Sequence, residues 1–458
     1  MVGGGPAGMS AAVRLARGGL TVTIVDEQPE LGGQYFRQPA PALIAAHGQH
    51  RPQGAKLIQA VRAAGCDVRV GTSVWGIDDD GKTLLTSSAG KVQRLRAGTI
   101  LVATGAYERV LPFTGWQLPG VITAGFAQHL VGEHVLPGRR VLVAGSGPFL
   151  LPVACALADL GAEVLGVVEA GRPYRPTTAS LGALAFPARL AELAAYAATL
   201  ARHRIALWQN RIVTAARSGA DGTVASVDVA AADAPGAVLA SYGVDAVCVG
   251  FGFRPQTELL ALLGCELAAD PRSGEQFPVH DLDGRCSDRV WVAGEVGGIG
   301  GVHAAIAQGR ASAEAILAER GLVSGRARSL TRRRVSHIAG FSELSARLYP
   351  SPAELARGLA PSLPQDCQVC RCEAVTAGQI RAAAEPLGHH DHGSLKARTR
   401  AGMGPCQGRE CAVTVAALSG APVTGTPRMP IRPVSLAALA GLDTPSAPEE
   451  FAAVGDLR

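Results

Sequence analysis

Two glycine loops, each set between short β-rich runs, and a knot of cysteines near the C-terminus predict an α/β chain. The expected architecture is two Rossmann-like dinucleotide-binding domains, the second inserted into the first, followed by a small cysteine-bearing module. At 458 residues the chain exceeds what one ordinary core holds, so two or three domains are expected.

The first loop, Gly3-x-Gly5-x-x-Gly8, opens an apolar helix through Ala11, Ala12, Val13 and Leu15. The run Thr21-Val-Thr-Ile-Val25 follows and ends in Asp26. In such a loop the first glycine makes the turn, the second admits a pyrophosphate, and the third lets helix pack on strand. The diphosphate then sits at the positive end of the helix, and the acid about 20 residues on binds ribose hydroxyls. A merely structural turn is the alternative. Only Met1 and Val2 precede the glycines. A usual strand spans ~17–20 Å, which places the expected start of this one upstream.

A second unit begins at Arg140-Val-Leu-Val-Ala-Gly145-Ser-Gly147-Pro-Phe-Leu150 and closes with Val164-Leu-Gly-Val-Val-Glu169. Leu150 takes the third glycine position and crowds helix against strand. Glu169 favours a free ribose over a 2′-phosphate. Between the units, Thr99-Ile-Leu-Val-Ala-Thr-Gly105 reads as a buried strand ending on a small-residue turn. Ala246-Val-Cys-Val-Gly-Phe-Gly252 is its counterpart after the second unit. Val290-Trp-Val-Ala-Gly294-Glu295 leads into a helix over 303–317.

The expected boundaries are 1–125 and 245–320 for the first domain, and 126–244 for the second. They continue with 321–364 for a connector, 365–420 for the cysteine module, and 421–458 for a Pro-rich tail. The connector holds four prolines and should be partly helical, around 341–348. The tail carries one short apolar run, 434–442.

Composition narrows the partners. A net charge of +5 is small for this length and argues for no nucleic-acid partner. The only strong charge run, Arg326, Arg328, Arg332, Arg333 and Arg334, reads as a solvated linker or docking surface, with an anionic-ligand site as the alternative. No apolar run reaches the ~18 residues of a transmembrane helix, and no transmembrane segment is expected. The N-terminus lacks the basic and apolar regions of a signal peptide, which points to a reducing cytoplasm.

Five of the ten cysteines, Cys367, Cys370, Cys372, Cys406 and Cys411, cluster near the C-terminus. In a reducing compartment such clusters read as metal ligands before disulfides. Cys370-Arg-Cys372 brings two thiolates close enough to share an iron. Thr376-Ala-Gly-Gln379 has the form of a capping box, so a helix should begin there. Cys411 should enter a second helix over 412–418, whose dipole and free N–H groups favour a thiolate. Two pairs of two suit a cluster of two irons, and Cys367-x2-Cys370 keeps a zinc knuckle open. Uncommitted thiols are the third possibility. Cys367 is read as a spare. His389, His390 and His392 read as a solvated turn rather than ligands. Cys66, Cys155, Cys248, Cys265 and Cys286 are expected to be inert core thiols.

These motifs together carry a resemblance. Val25-Asp-Glu-Gln-Pro-Glu-Leu-Gly32-Gly33-Gln34, Ala103-Thr-Gly105 and Val292-Ala-Gly294-Glu295 resemble the flavin-contacting segments of two-dinucleotide-domain flavoproteins. Val369-Cys-Arg-Cys-Glu373 and Gly402-Met-Gly-Pro-Cys-Gln-Gly-Arg-Glu-Cys411 resemble the bacterioferritin-associated-ferredoxin type of [2Fe–2S] domain. The combination is similar to the alpha-type FAD/[2Fe–2S] subunits of heteromeric amine and imino-acid dehydrogenases. That group takes in the alpha subunits of D-hydroxyproline and dye-linked L-proline dehydrogenases, and the corresponding subunits of opine oxidase and hydrogen cyanide synthase.

The resemblance implies FAD on Gly3, Gly5, Gly8, Asp26, Gly33, Gln34, Ala103, Thr104, Gly105, Gly294 and Glu295. It implies a [2Fe–2S] cluster on Cys370, Cys372, Cys406 and Cys411. Substrate oxidation would fall to a glycine- or sarcosine-oxidase-like flavoprotein beta subunit. A small third subunit, together with a downstream electron acceptor, would complete the partners, and any membrane association would come through them. The second site, with Gly145, Gly147 and Glu169, is open between NAD, an adenine nucleotide and nothing. Neither the segment 33–40 nor 101–150 contains a cysteine, which argues against a thiol–disulfide reductase. The leading expectation is an electron-transfer subunit. The alternatives are a self-contained NADH-dependent reductase and a structural assembly subunit.

Overall fold

The computed structural model describes residues 1–47, 51–78, 81–175, 182–270, 272–385, 392–421, 427–441 and 449–450. Two parallel sheets organise the chain. In the first, Asp67–Arg69 pairs with Thr23–Val25, and Ile100–Val102 pairs with Val290–Val292. Val2 joins these pairs, bridging to both Val25 and Val102. Its N–H donates to Leu101 O at 3.0 Å, and the Ala103 N–H donates to Val2 O at 2.7 Å. A single bridged residue therefore occupies the central position that the sequence assigns to a full strand.

The second sheet runs Ala206–Gln209, Glu163–Glu169, Arg140–Gly145, Ala246–Gly250, Val121–Thr123, all parallel. This corrects the expected boundaries at 125 and 245. The register Ala246↔Val141 and Val247↔Val121 places both flanking strands in the second sheet, since each has its ladder partner there and not in the first. Helix Leu150–Asp159 packs on this sheet, and its buried face, from Leu150 to Ala158, merges with Val141, Val143 and Cys248.

The expected connector is also corrected. Gly325–Leu348 is one continuous helix packed along Gly301–Glu319, and Pro352–Leu359 is a further helix with a full Ser351/Glu354 capping box. Arg328 and Arg332 pair with the buried Asp283, at 2.5 and 3.5 Å, so part of the arginine run is tied down rather than free in solvent. Leu355, Ala356 and Leu359 enter the core of the second domain, and Val413 of the cysteine module joins them there. The apolar run in the tail forms the short helix Leu436–Ala440. Among the described residues no helix is long and apolar enough to cross a membrane.

Leu150 at the third glycine position packs beside Gly250 and Ala124. An added Cβ on Gly250 would lie in ordinary contact with Leu150 Cδ2, at 3.7 Å, and more tightly against Ala124 Cβ, at 3.2 Å. Gly145 is tighter still. At φ +146° its Cβ would fall 1.7 Å from Gly250 O, whereas one on Gly147 would meet nothing within 4 Å. Gly145→Ala should therefore destabilise the second domain by about 3 kcal/mol or more, and Gly147→Ala by only ~1–2 kcal/mol from its positive φ. Urea unfolding of the two variants checks the difference.

Candidate functional site

The first glycine loop opens onto a cavity of about 2290 Å³. Gly3, Gly5, Asp26, Gly33, Gln34, Ala103, Thr104, Gly105, Gly294 and Glu295 all line it, brought together from four separate stretches of chain. Gly8 does not line it. A Cβ there would sit 2.0 Å from Gly3 O, so its role is to let helix Pro6–Arg17 meet the loop. A Cβ on Gly3 would strike Ala103 O at 2.3 Å. Gly5 and Gly105 face open space instead: the nearest atom to a Cβ on Gly5 is 3.9 Å away, and Gly105 has none within 4 Å. This is a cradle shaped for a group lying against bare backbone at a helix N-terminus, the setting a dinucleotide diphosphate requires.

Asp26 is buried at the rim of this cradle. It accepts from the Gly4 N–H at 2.6 Å and the Gln28 N–H at 2.7 Å. Burial raises its pKa, opposed by those two hydrogen bonds. Glu295 is likewise pushed up by burial, opposed by the Gly301 N–H.

The second unit has the same local design with a different cover. Glu169 accepts from the Gly147 N–H at 3.0 Å and the Gly171 N–H at 2.7 Å. Burial pushes it up to about 7. Asp26 lines the cavity and Glu169 does not. The corner at 349–352 explains the difference. Ser146 Oγ donates to Pro350 O at 3.4 Å, and Tyr174 and Tyr349 join hydroxyls at 3.2 Å. The Pro350 ring lies against Gly171, where a Cβ would come within 2.6 Å of it. Ser146 and Gly147 reach the cavity, whereas Glu169, the acid expected on a ribose, is covered by the chain itself.

In the cysteine module, Gln368–Cys370 pairs antiparallel with Val375–Thr376, and Thr376 and Gln379 form the anticipated capping box on Ala377–Ala384. Cys411 is the N-cap of Ala412–Ser419. The two cysteine loops meet because Gly404 has no side chain: a Cβ there would fall 2.1 Å from Cys372 Cβ. Thiol contacts run across the loops, Cys370 with Cys411 and Cys372 with Cys406. The Cys370 thiol is lowered to about 5, first by the Cys411 thiol and then by the Gly402, Glu373 and Cys372 N–H groups. Cys411 is correspondingly pushed up by the same contact. Cys367 stands apart, raised to about 11 by burial and Asp366. Among the described residues no three His, Cys, Asp or Glu side chains gather on one point. The hydrogen-bonded pairs each join one loop to the other, whereas the spacing pairs Cys370 with Cys372 and Cys406 with Cys411. His389 and His390 lie outside the described residues, and His392 opens helix His392–Thr399.

Of the scattered thiols, Cys265 and Cys286 are not isolated: they hydrogen-bond to one another. Sequence reasoning also missed how the module meets the cavity. Arg409, two residues before Cys411, is buried and donates to Glu258 Oε1 at 2.9 Å. Glu258 lines the cavity, as do Tyr107, Gln256 and Arg432, and Arg432 donates to Gln256 Oε1 at 2.6 Å. An arginine inside the C-x4-C spacing was the available signal, but its partner lies 151 residues away.

Comparison with known proteins agrees with this geometry. Residues 1–309 match the pyridine nucleotide-disulphide oxidoreductase family, and residues 368–418 match the BFD-like [2Fe–2S] binding domain. An opine oxidase subunit of Rhizobium meliloti (strain 1021) is 33% identical over 97% of this chain and 98% of its own length. Hydrogen cyanide synthase subunit HcnB of Pseudomonas aeruginosa is 33% identical over the same shares, 97% and 98%. The crystal structure of L-proline dehydrogenase from P. horikoshii superposes with a TM-score of 0.66 at 23% identity, over 96% of this chain and 78% of that one, a likeness of fold. The cofactors are FAD and a [2Fe–2S] cluster. The chain is a flavin oxidoreductase belonging to the pyridine nucleotide-disulphide oxidoreductase family, in the same family as HcnB and its opine oxidase relative, with a BFD-like [2Fe–2S] domain towards its C-terminus.

Proposed function

We propose that this chain is the electron-transfer subunit of a heteromeric dehydrogenase that oxidises an amine or imino acid of opine, proline or hydroxyproline type. The substrate's C–N bond is oxidised on a flavoprotein beta subunit similar to glycine or sarcosine oxidase. Electrons then enter this chain and leave singly towards a downstream acceptor. The observation that carries the reading is the seating of the 406–411 loop, with two of the five module cysteines, directly on the wall of the flavin cavity through Arg409 and Glu258. Relatives that are oxidase or synthase subunits support a partner.

Bound FAD supplies two-electron acceptance with one-electron release, and the cluster carries single electrons. The chain's own residues do the holding. Gly3, Gly5 and the N-terminus of helix Pro6–Arg17 would take the diphosphate, and Asp26 the ribose. Gly33, Gln34, the turn at 103–105, Gly294 and Glu295 would line the remainder. Cys370, Cys372, Cys406 and Cys411 would hold the two irons, and Cys367 would not. The roof over Glu169 supports entry of electrons from a partner rather than from NADH, because the ribose of a dinucleotide at Gly145 and Gly147 would have no acid to meet.

Anaerobic stopped-flow mixing with NADH should leave the flavin absorbance unchanged over seconds. Adding the partner subunit with its amine or imino-acid substrate should bleach it. Rapid bleaching by NADH alone would reverse the assignment in favour of a self-contained reductase, and full-rate substrate oxidation by this chain alone would also reject it. Cys406→Ser and Gly404→Ala should lose the iron content and the electron paramagnetic resonance of the reduced cluster while keeping FAD. Cys367→Ser should keep both, and loss of iron there would show that the ligand set is misassigned.

A further inference from the structure

Five side chains form a continuous ladder from the cysteine module into the flavin domain and back: Arg109, Glu275, Arg254, Glu258, Arg409. Arg109 Nη2 is paired with Glu275 Oε1. Arg254 lies 3.6 Å from Glu275 Oε2 and 2.7 Å from Glu258 Oε1. Arg409 Nε closes the ladder on Glu258 Oε1 at 2.9 Å. The side chains of Arg109, Glu275, Glu258 and Arg409 are all less than one-tenth exposed.

Both ends of the ladder are at the same place. Arg409 belongs to the 406–411 loop, and Arg109 Nη1 donates to that loop's carbonyls, to Arg409 O at 2.7 Å and Glu410 O at 3.4 Å. Both carboxylates lie on the other side and line the flavin cavity. Three arginines against two carboxylates leave one net positive charge, and both terminal arginines donate to carbonyls of the 406–411 loop. The ladder thus sets up a field across this wall, with its two carboxylates and the nearby Arg432 on the cavity side and its terminal arginines on the ligand loop. In a buried wall such a field acts several-fold more strongly than it would in water.

We propose that this ladder sets the direction of electron flow: it favours an added electron at the four cysteines and disfavours it in the flavin cavity. The inference rests on the electron-transfer reading above. The step it governs is the passage of one electron from reduced flavin to oxidised cluster. No bond is made or broken at the cluster, which a one-electron acceptor then reoxidises. Arg109, Glu258 and Arg409 are positioning residues for that step, acting through the loop and the field rather than by touching a substrate.

The test needs neither partner nor amine substrate, so failure of the dehydrogenase reading leaves it standing. The holoprotein is titrated electrochemically, reading the cluster by electron paramagnetic resonance and the flavin by absorbance. At a fixed applied potential, Arg409→Gln should lower the reduced-to-oxidised cluster ratio by about tenfold. Glu258→Gln should move the other way at the flavin, making it easier to reduce. Arg409→Lys should stay near wild type. The double variant Glu258→Arg with Arg409→Glu keeps a pair but reverses its dipole, so at one-electron reduction the electron should shift from cluster to flavin. Iron and FAD contents are measured for every variant. Unchanged electron distribution in cofactor-loaded Arg409→Gln and Glu258→Gln would overturn the proposal, as would recovery of the wild-type distribution in the reversed pair, since that would mark the contact as structural only.

Discussion

Glu258 is buried with one carboxylate oxygen shared between Arg254 and Arg409, and the two halves of the molecule meet on that atom. Burial alone would raise its pKa, and the two arginines, Arg254 first, hold it below the usual carboxylate range. Breaking a buried pair of this kind typically costs about 3–5 kcal/mol, because the surviving charge is left without a partner. The cysteine module therefore has no inexpensive way to sit elsewhere. Its ligand loop docks against the flavin domain with Arg409 paired, or that arginine loses its carboxylate while Glu258 keeps only Arg254. The Trp116 indole N–H, which donates to Gln368 O at 2.7 Å, and the Val413 contact with the core of the second domain secure the same placement from the other side.

That placement also accounts for the long helix where the sequence alone suggests a connector. To bring the module from the end of Gly301–Glu319 back to the cavity wall, the chain runs out along Gly325–Leu348 and turns at 349–352. The turn falls over the second glycine loop, where Pro350 and Tyr349 roof Glu169. One stretch of chain thus delivers the ligand cysteines and covers the second acid. The two units, alike in their glycines and in how their acids fold back onto backbone N–H groups, end with Asp26 on the cavity wall and Glu169 off it.

Much of this was legible in advance because it is local. The glycine loops, the strand-ending acids, the Thr376/Gln379 capping box and the helix after Cys411 are each set by neighbours within a few residues, where backbone sterics and hydrogen-bond stereochemistry leave few choices. The misread parts are those that depend on distant partners. Gly325–Leu348 is polar on most faces, and its stability comes from lying on Gly301–Glu319 and from pairing Arg328 with Asp283, contacts that no local pattern announces. The boundaries at 125 and 245 shifted for the same reason, since Ala246–Gly250 is a strand in either assignment and only its ladder partners decide which sheet owns it.

By itself, the sequence determined which groups the protein can offer: two glycine turns for nucleotides, and four cysteines at two close spacings. It also determined the local backbone that presents them, because positive φ, capping and helix dipoles are properties of short segments. The tertiary structure alone decided that one turn opens on a cavity while the acid of the other is roofed, that the cysteines meet across loops, and that a ladder of buried charge joins them to the flavin cavity. Those features arise from contacts between residues far apart in sequence, such as Arg109 with Arg409, 300 positions on, where packing and desolvation select the partner and sequence distance carries no information.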